Sequence, residues 1–181
     1  MENNLSNLDE IERFRFSHYD THLIVDTSAL LLFLVGVYDP DYVEHCPLLT
    51  ENGKYYKKKQ FELIEKIFQR FPGKIIITPH VLSEVNMLSK KIGEEYRNDY
   101  FLALVRELEK HQEYCIPLKV LLKNGAIVEF GFTDISLIEA AEKNKWIVLT
   151  DDLRLYMAFN TKVPMINFNR VVAMEQLGVS Y

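Results

Sequence analysis

The chain has 181 residues, 48% of them apolar, which suits one domain over 1–181 with a sizeable core. Two cysteines, Cys46 and Cys115, are too few for a disulfide framework, and even the apolar stretch from Leu23 to Val37 is interrupted by Asp26 and Ser28 before it could span a membrane. The formal charge of −5 argues against binding nucleic acid by bulk positive charge, although a cluster of metal-binding acids would itself contribute to that count.

Met1 to Arg15 is polar and lacks the apolar stretch of a secretory signal, so a cytoplasmic location is expected. Residues 1–19 read as a polar lead-in, with Leu8, Ile11 and Phe14 spaced for at most a modest helix. His18 and His22 flank the first strand without zinc-site spacing and read as surface or strand-end residues. Leu23-Ile24-Val25 has the composition of a buried parallel strand. It ends at Asp26, after which a Leu-rich helix runs to about Val37 and stops at the turn formers Asp39-Pro40-Asp41. From Asp39 to Tyr56, Pro40, Pro47 and Asn52-Gly53 predict a long loop, a candidate lid or substrate-contacting insertion. Lys57, Lys58 and Lys59 then open a helix whose apolar face carries Phe61, Ile64, Ile67, Phe68 and Phe71 and which ends at Pro72-Gly73. The plain reading of the lysines is a solvated helix start, but three of them in a first turn oppose the helix dipole, which makes them a candidate contact for an anionic partner such as phosphate.

Lys74-Ile75-Ile76-Ile77 is the second strand, followed by a helix with Thr78 as cap and Pro79 at its first position. Val81, Val85 and Leu88 mark its buried face, and Glu84 lies beside that face in the second turn. After Gly93 comes a helix with an apolar stripe of Tyr100, Phe101, Leu104, Val105 and Leu108. Pro117 to Glu129 has weak periodicity, with a short strand expected around Ala126 to Val128. Gly131-Phe132-Thr133-Asp134 opens a helix carrying Ile135, Leu137, Ile138 and Ala141. Trp146 to Leu149 forms a strand ending at Thr150-Asp151-Asp152, a helix follows through Met157, and Val163 to Ile166 is a last short strand before a C-terminal tail of no assigned form. This alternation, without a hairpin signal, predicts an α/β fold: three layers, α/β/α, around a mostly parallel sheet.

Taken singly, Asp26, Glu84, Asp134 and Asp152 each have a structural explanation as a helix cap or a first-turn acid. Capping does not explain why all four fall at junctions that a parallel sheet brings to one edge, where ligands of open α/β folds bind. Four converging carboxylates repel one another unless cations neutralise them, and oxygen-only ligands favour Mg²⁺ or Mn²⁺ over zinc. Such a site suits hydrolysis of a phosphodiester. No phosphate-binding glycine loop, G-x-S-x-G elbow or C-x-x-C competes with it.

Four segments in order resemble the successive motifs of PIN-domain ribonucleases: Ile24-Val25-Asp26-Thr27-Ser28-Ala29-Leu30, Thr78-Pro79-His80-Val81-Leu82-Ser83-Glu84-Val85, Gly131-Phe132-Thr133-Asp134, and Val148-Leu149-Thr150-Asp151-Asp152. The resemblance covers residues 21 to about 170. It implies a fold related to 5′-nucleases, Mg²⁺- or Mn²⁺-dependent RNA cleavage and, often, a homodimer. It places the catalytic and metal-binding acids at Asp26, Glu84, Asp134 and Asp152, with Asp151 secondary, and gives Ser28 and Thr150 a supporting role in orienting a carboxylate or water. Compact VapC-like toxins, which pair with an antitoxin, are shorter; the extra length here lies in residues 39–59 and about 90–129. An RNA-processing nuclease therefore stands beside a toxin paired with an antitoxin or another protein. The reading from another class is a PIN-like RNA- or protein-binding module with little or no catalysis. A phosphatase using Asp26 as nucleophile fits poorly, because the D-x-D it requires has Ser28 in its second acidic position.

Overall fold

The computed structural model describes residues 21–51 and 54–178. The expected lead-in, with His18, and the Asn52-Gly53 turn lie outside the described residues. Strand β1 (Leu23–Val25) is the middle of a five-stranded sheet in the order β5-β4-β1-β6-β7, where β4 is Ile75–Ile77, β5 Gln112–Glu113, β6 Ile147–Thr150 and β7 Met165–Asn167. Every pairing in this sheet is parallel, with Leu23 opposite Ile75 on one side and Ile147 on the other. The three central strands hold only Leu, Ile and Val apart from Thr150, and every residue in them is buried, as a sheet covered on both faces requires.

Helix α1 (Thr27–Tyr38) packs against α2 (Lys58–Gln69), α3 (Pro79–Ser89) and α4 (Glu94–Leu108). Helix α6 (Ile127–Asn144) lies against β1 and β6, with α5 (Leu118–Leu121) and α7 (Leu153–Phe159) beside it. The fold is the expected α/β/α arrangement. Helices α1 and α2 meet at Gly36, where an added Cβ would stand 2.0 Å from the Phe61 ring. The chain leaves β1 to build β4 and β5 on one side, then crosses back to lay β6 and β7 on the other. Ligand crevices of open parallel sheets form at such a reversal, outside the carboxyl ends of the strands.

Two local expectations are corrected, and two stretches with no assigned form take one. The stretch 39–56 is not a plain loop: it contains a 3₁₀ turn (Tyr42–Glu44) and a two-stranded antiparallel ladder of β2 (Thr50–Glu51) and β3 (Lys54–Tyr55). The expected strand at Ala126 to Val128 is the start of α6; Asn124 Oδ1 accepts the Ala126 amide at 3.0 Å and its carbonyl accepts that of Ile127. A three-residue apolar run is too short for periodicity to separate the two states, and Val128 is 93% exposed, unlike a core strand. Polar β5 was not expected at all: it is a two-residue edge strand exposed on both faces, recruited by its backbone alone. The tail forms α8 (Phe168–Gln176), begun by Asn167, whose Oδ1 accepts the Arg170 amide at 3.0 Å. No helix among the described residues is long and apolar enough to cross a membrane.

Candidate functional site

The first residue after β1 is Asp26, whose backbone amide continues the ladder to the Leu149 carbonyl on β6 at 3.0 Å. Its side chain is 6% exposed. Oδ1 accepts the Ala29 amide at 2.9 Å and so caps α1, while Oδ2 accepts the Asp151 amide at 3.3 Å. Burial, reinforced by the charges of Asp151 and Asp134, pushes the Asp26 carboxyl up to about 8 against the opposing hydrogen bonds from Thr150 and Ala29.

At the end of adjacent β6, Asp151 and Asp152 diverge. Asp151 is half-buried; its Oδ2 accepts a hydrogen bond from the Tyr56 hydroxyl, and its carbonyl accepts the Asn169 side-chain amide at 3.1 Å. Asp152 is exposed and caps α7, its Oδ1 accepting the amides of Arg154 at 2.7 Å and Leu155 at 3.1 Å. Thr150 Oγ1 in turn accepts the Asp152 amide at 3.0 Å. The Thr150 hydroxyl thus touches both Asp26 and the backbone of Asp152.

Glu84 reaches the same edge from α3. Its Oε2 accepts the Thr27 hydroxyl at 2.7 Å and its Oε1 the Thr133 hydroxyl at 2.5 Å. Asp134 follows Thr133 in α6, just after Gly131 breaks the helix with φ 80° and ψ −178°. Burial, then the charges of Asp152 and Glu84, pushes the Asp134 carboxyl up to about 6, with Arg154 opposing. Electrostatic coupling therefore links Asp26 to Asp151 and Asp134, and Asp134 to Asp152 and Glu84.

Asp151 and Asp152, at the end of β6, line an open cleft of about 780 Å³ together with Thr27, Ser28, Tyr56 and Arg170, whereas Asp26, Glu84 and Asp134 are not part of its lining. Ser28 is exposed there. Lys57, Lys58 and Lys59 are exposed next in sequence to Tyr56. The positive end of the α2 dipole is already answered within the chain: Glu44 Oε1 accepts the Lys58 amide at 3.1 Å, and Lys58 Nζ pairs with Asp41 at 2.7 Å. Sequence reasoning missed Thr27, Thr133 and Tyr56. Both threonines adjoin motif acids, a weak signal that capping also explains, whereas nothing local announces that Tyr56 meets a residue 95 positions away.

Asp26, Glu84, Asp134, Asp151 and Asp152 offer oxygen donors alone, the type that Mg²⁺ and Mn²⁺ take rather than zinc. As the side chains stand, no three His, Cys, Asp or Glu among the described residues are gathered tightly enough to hold an ion, so binding one requires carboxylate rotation.

No protein-family model matches the chain, and no curated protein matches it. Among solved structures the chain is similar to PAE2754 from Pyrobaculum aerophilum, with a TM-score of 0.51 and 18% identity over 84% of this chain and 96% of that one. At this identity the likeness shows the fold, an α/β/α arrangement with helices on both faces of a parallel sheet.

Proposed function

We propose that the protein is a Mg²⁺- or Mn²⁺-dependent ribonuclease of PIN type that hydrolyses RNA phosphodiester bonds at the edge formed by Asp26, Glu84, Asp134 and Asp152. The observation that carries this reading is Asp26 itself: a buried carboxylate at the carboxyl end of the central strand, coupled to two further acids at the sheet's point of reversal. Burying such a group is costly, and carboxyls perturbed in this way cluster at functional sites. The ordered likeness of the four motifs to PIN ribonucleases supports the same reading.

Bound divalent ions supply a lowered pKa for an attacking water and stabilisation of the leaving oxygen. The chain's own residues hold and orient. Thr150 fixes Asp26 by a hydroxyl hydrogen bond, and Thr27 and Thr133 clamp the two oxygens of Glu84, so that each carboxylate is set by a neutral donor that adds no charge. Lys57 and Lys59, exposed and close in sequence to Tyr56 of the cleft wall, are candidate phosphate contacts, while Lys58 pairs with Asp41. The test is cleavage of single-stranded RNA with Mn²⁺ or Mg²⁺, with EDTA, and with Asp26→Asn. Loss under both treatments is expected, and cleavage that survives both overturns the reading.

One observation favours a second reading, a PIN-like RNA- or protein-binding module with little catalysis: the acids are not drawn into a closed shell as they stand. It requires cation-independent RNA or partner binding without turnover, and robust cleavage removes it.

A further inference from the structure

The break of α6 at Gly131, in a conformation open to glycine, is followed directly by Phe132, whose ring is left 47% exposed. On α3, the His80 ring lies parallel to it, with centroids 6.4 Å apart and planes within 6°. Other ring pairs among the described residues are tilted or edge-on, so the parallel setting is particular to this pair. Rings in full face contact bring their carbons to roughly 3.5–4.0 Å. At 6.4 Å the two are apart or offset, and neither covers the other's face. His80 is half-buried and its Nδ1 has no hydrogen-bond partner among the described residues, so a small turn of the imidazole breaks no bond at that atom.

This ring pair adjoins the candidate site. His80 stands one turn before Glu84 on the same face of α3, and Thr133, next to Phe132, donates its hydroxyl to Glu84 Oε1. Glu84 Oε2 accepts the hydroxyl of Thr27, which lines the cleft, so one carboxylate joins the cleft to the rings. The edge offers carboxylates and the chain carries a charge of −5, so bulk positive charge does not supply the hold on a phosphate backbone. Stacking on a neutral ring does, whatever the charge around it.

We propose that Phe132 and His80 form a stacking subsite for one nucleobase of single-stranded RNA, beside Glu84, so that the held base brings the neighbouring phosphodiester to the acidic edge. The inference rests on the ribonuclease reading given above and names how that site holds its substrate. Every base has a π face, so the subsite tolerates any sequence.

The test is binding, in EDTA, of a short dye-labelled uridine oligonucleotide to the full-length protein, read by fluorescence anisotropy. A probe of the same length and charge but without bases is the control, and wild type should hold it more weakly. Phe132→Ala and Phe132→Leu are expected to weaken uridine binding about 5–150-fold, and Phe132→Tyr to keep it. The dependence of affinity on salt should stay as in wild type, because no phosphate contact is removed. His80→Ala should weaken binding too, and its loss should not multiply with that of Phe132→Ala, since both rings serve one base. In Phe132→Trp, emission beyond that of Trp146 should be quenched as the oligonucleotide binds.

Equal affinity of wild type for the two probes would overturn the proposal whether or not any variant folds. So would Phe132→Leu binding as wild type does, or a wild-type dimer that Phe132→Ala turns into monomers, which would assign the ring to a second copy of the chain. Wild type that neither binds nor cleaves RNA removes the ribonuclease reading and this inference together. Mn²⁺-dependent cleavage lost in Asp26→Asn, with RNA binding undiminished in Phe132→Ala, removes this inference alone. Binding that depends on Phe132 without any cleavage supports the subsite and removes only the catalytic reading.

Discussion

Asp26 is a carboxylate shut away from water beside other acids, and its effect on stability depends on pH. Its carboxyl is raised from 3.8 to about 8, and that of Asp134 from 3.8 to about 6, so between these values the folded chain binds more protons than the unfolded one. The stability these neutral acids contribute is complete below about pH 4 and is lost as pH rises, through 6 for Asp134 and 8 for Asp26. Metal-free protein should therefore denature more easily at pH 8 than at pH 5. Asp26→Asn keeps an acceptor for the Ala29 amide and should flatten that fall by roughly 1–3 kcal/mol while abolishing cleavage. Urea unfolding at the two pH values checks it, and an identical slope in wild type and variant would contradict the burial argument. Thr133→Val removes the hydroxyl that Glu84 accepts at 2.5 Å and leaves the shape. A 10–100-fold drop in cleavage, recovered by Thr133→Ser, is the expected kinetic result. Asp26 and Asp152 stood out in the sequence because each follows a strand and caps the next helix, whereas Glu84 lies mid-helix and Asp134 just past the break at Gly131. The hydroxyl partners of Glu84 did not stand out, since Thr27 and Thr133 meet it from 57 and 49 residues away.

Among the elements, the strands β1, β4 and β6 were readable from Leu, Ile and Val runs, because a strand buried on both faces admits little else. Elements defined by backbone pairing or by a capping side chain escaped, as β5, the β2–β3 ladder and the first turn of α6 demonstrate. Two glycines decide how helices meet the site. Gly131 holds φ 80° and ψ −178°, a region closed to residues with a Cβ, and turns α6 so that Thr133 and Asp134 follow on a new axis. Gly131→Ala would add a Cβ that meets nothing within 4 Å, so its effect is purely conformational, a loss of about 1–3 kcal/mol measurable by denaturant titration. Gly36→Ala is the opposite case, since its Cβ would collide with the Phe61 ring at 2.0 Å. Destabilisation of about 1–3 kcal/mol or more is expected, partly recovered when Phe61→Leu makes room.

For the molecule as a whole, the sheet reversal at β1 and the carboxylates outside it combine into one thermodynamic expectation. Divalent ions bind only ionised carboxylates, so Mn²⁺ binding should release protons and tighten as pH rises through 6 to 8, by up to about tenfold per pH unit for each proton displaced. Millimolar Mn²⁺ should accordingly raise the melting temperature more at pH 8 than at pH 5.5, by thermal shift; an equal effect at both would show that these acids are not where the ion binds. The sequence by itself determined the alternation of strand and helix, the parallel buried sheet and the acids that cap α1 and α7, because apolar composition, caps and turn formers act within a few residues. Only the tertiary structure decided that β1 would be flanked by β4 and β6, that Glu84 would be clamped by two threonines, and that Tyr56 would close on Asp151. Those contacts join positions dozens of residues apart, and nothing local encodes which distant partner a buried polar group will find.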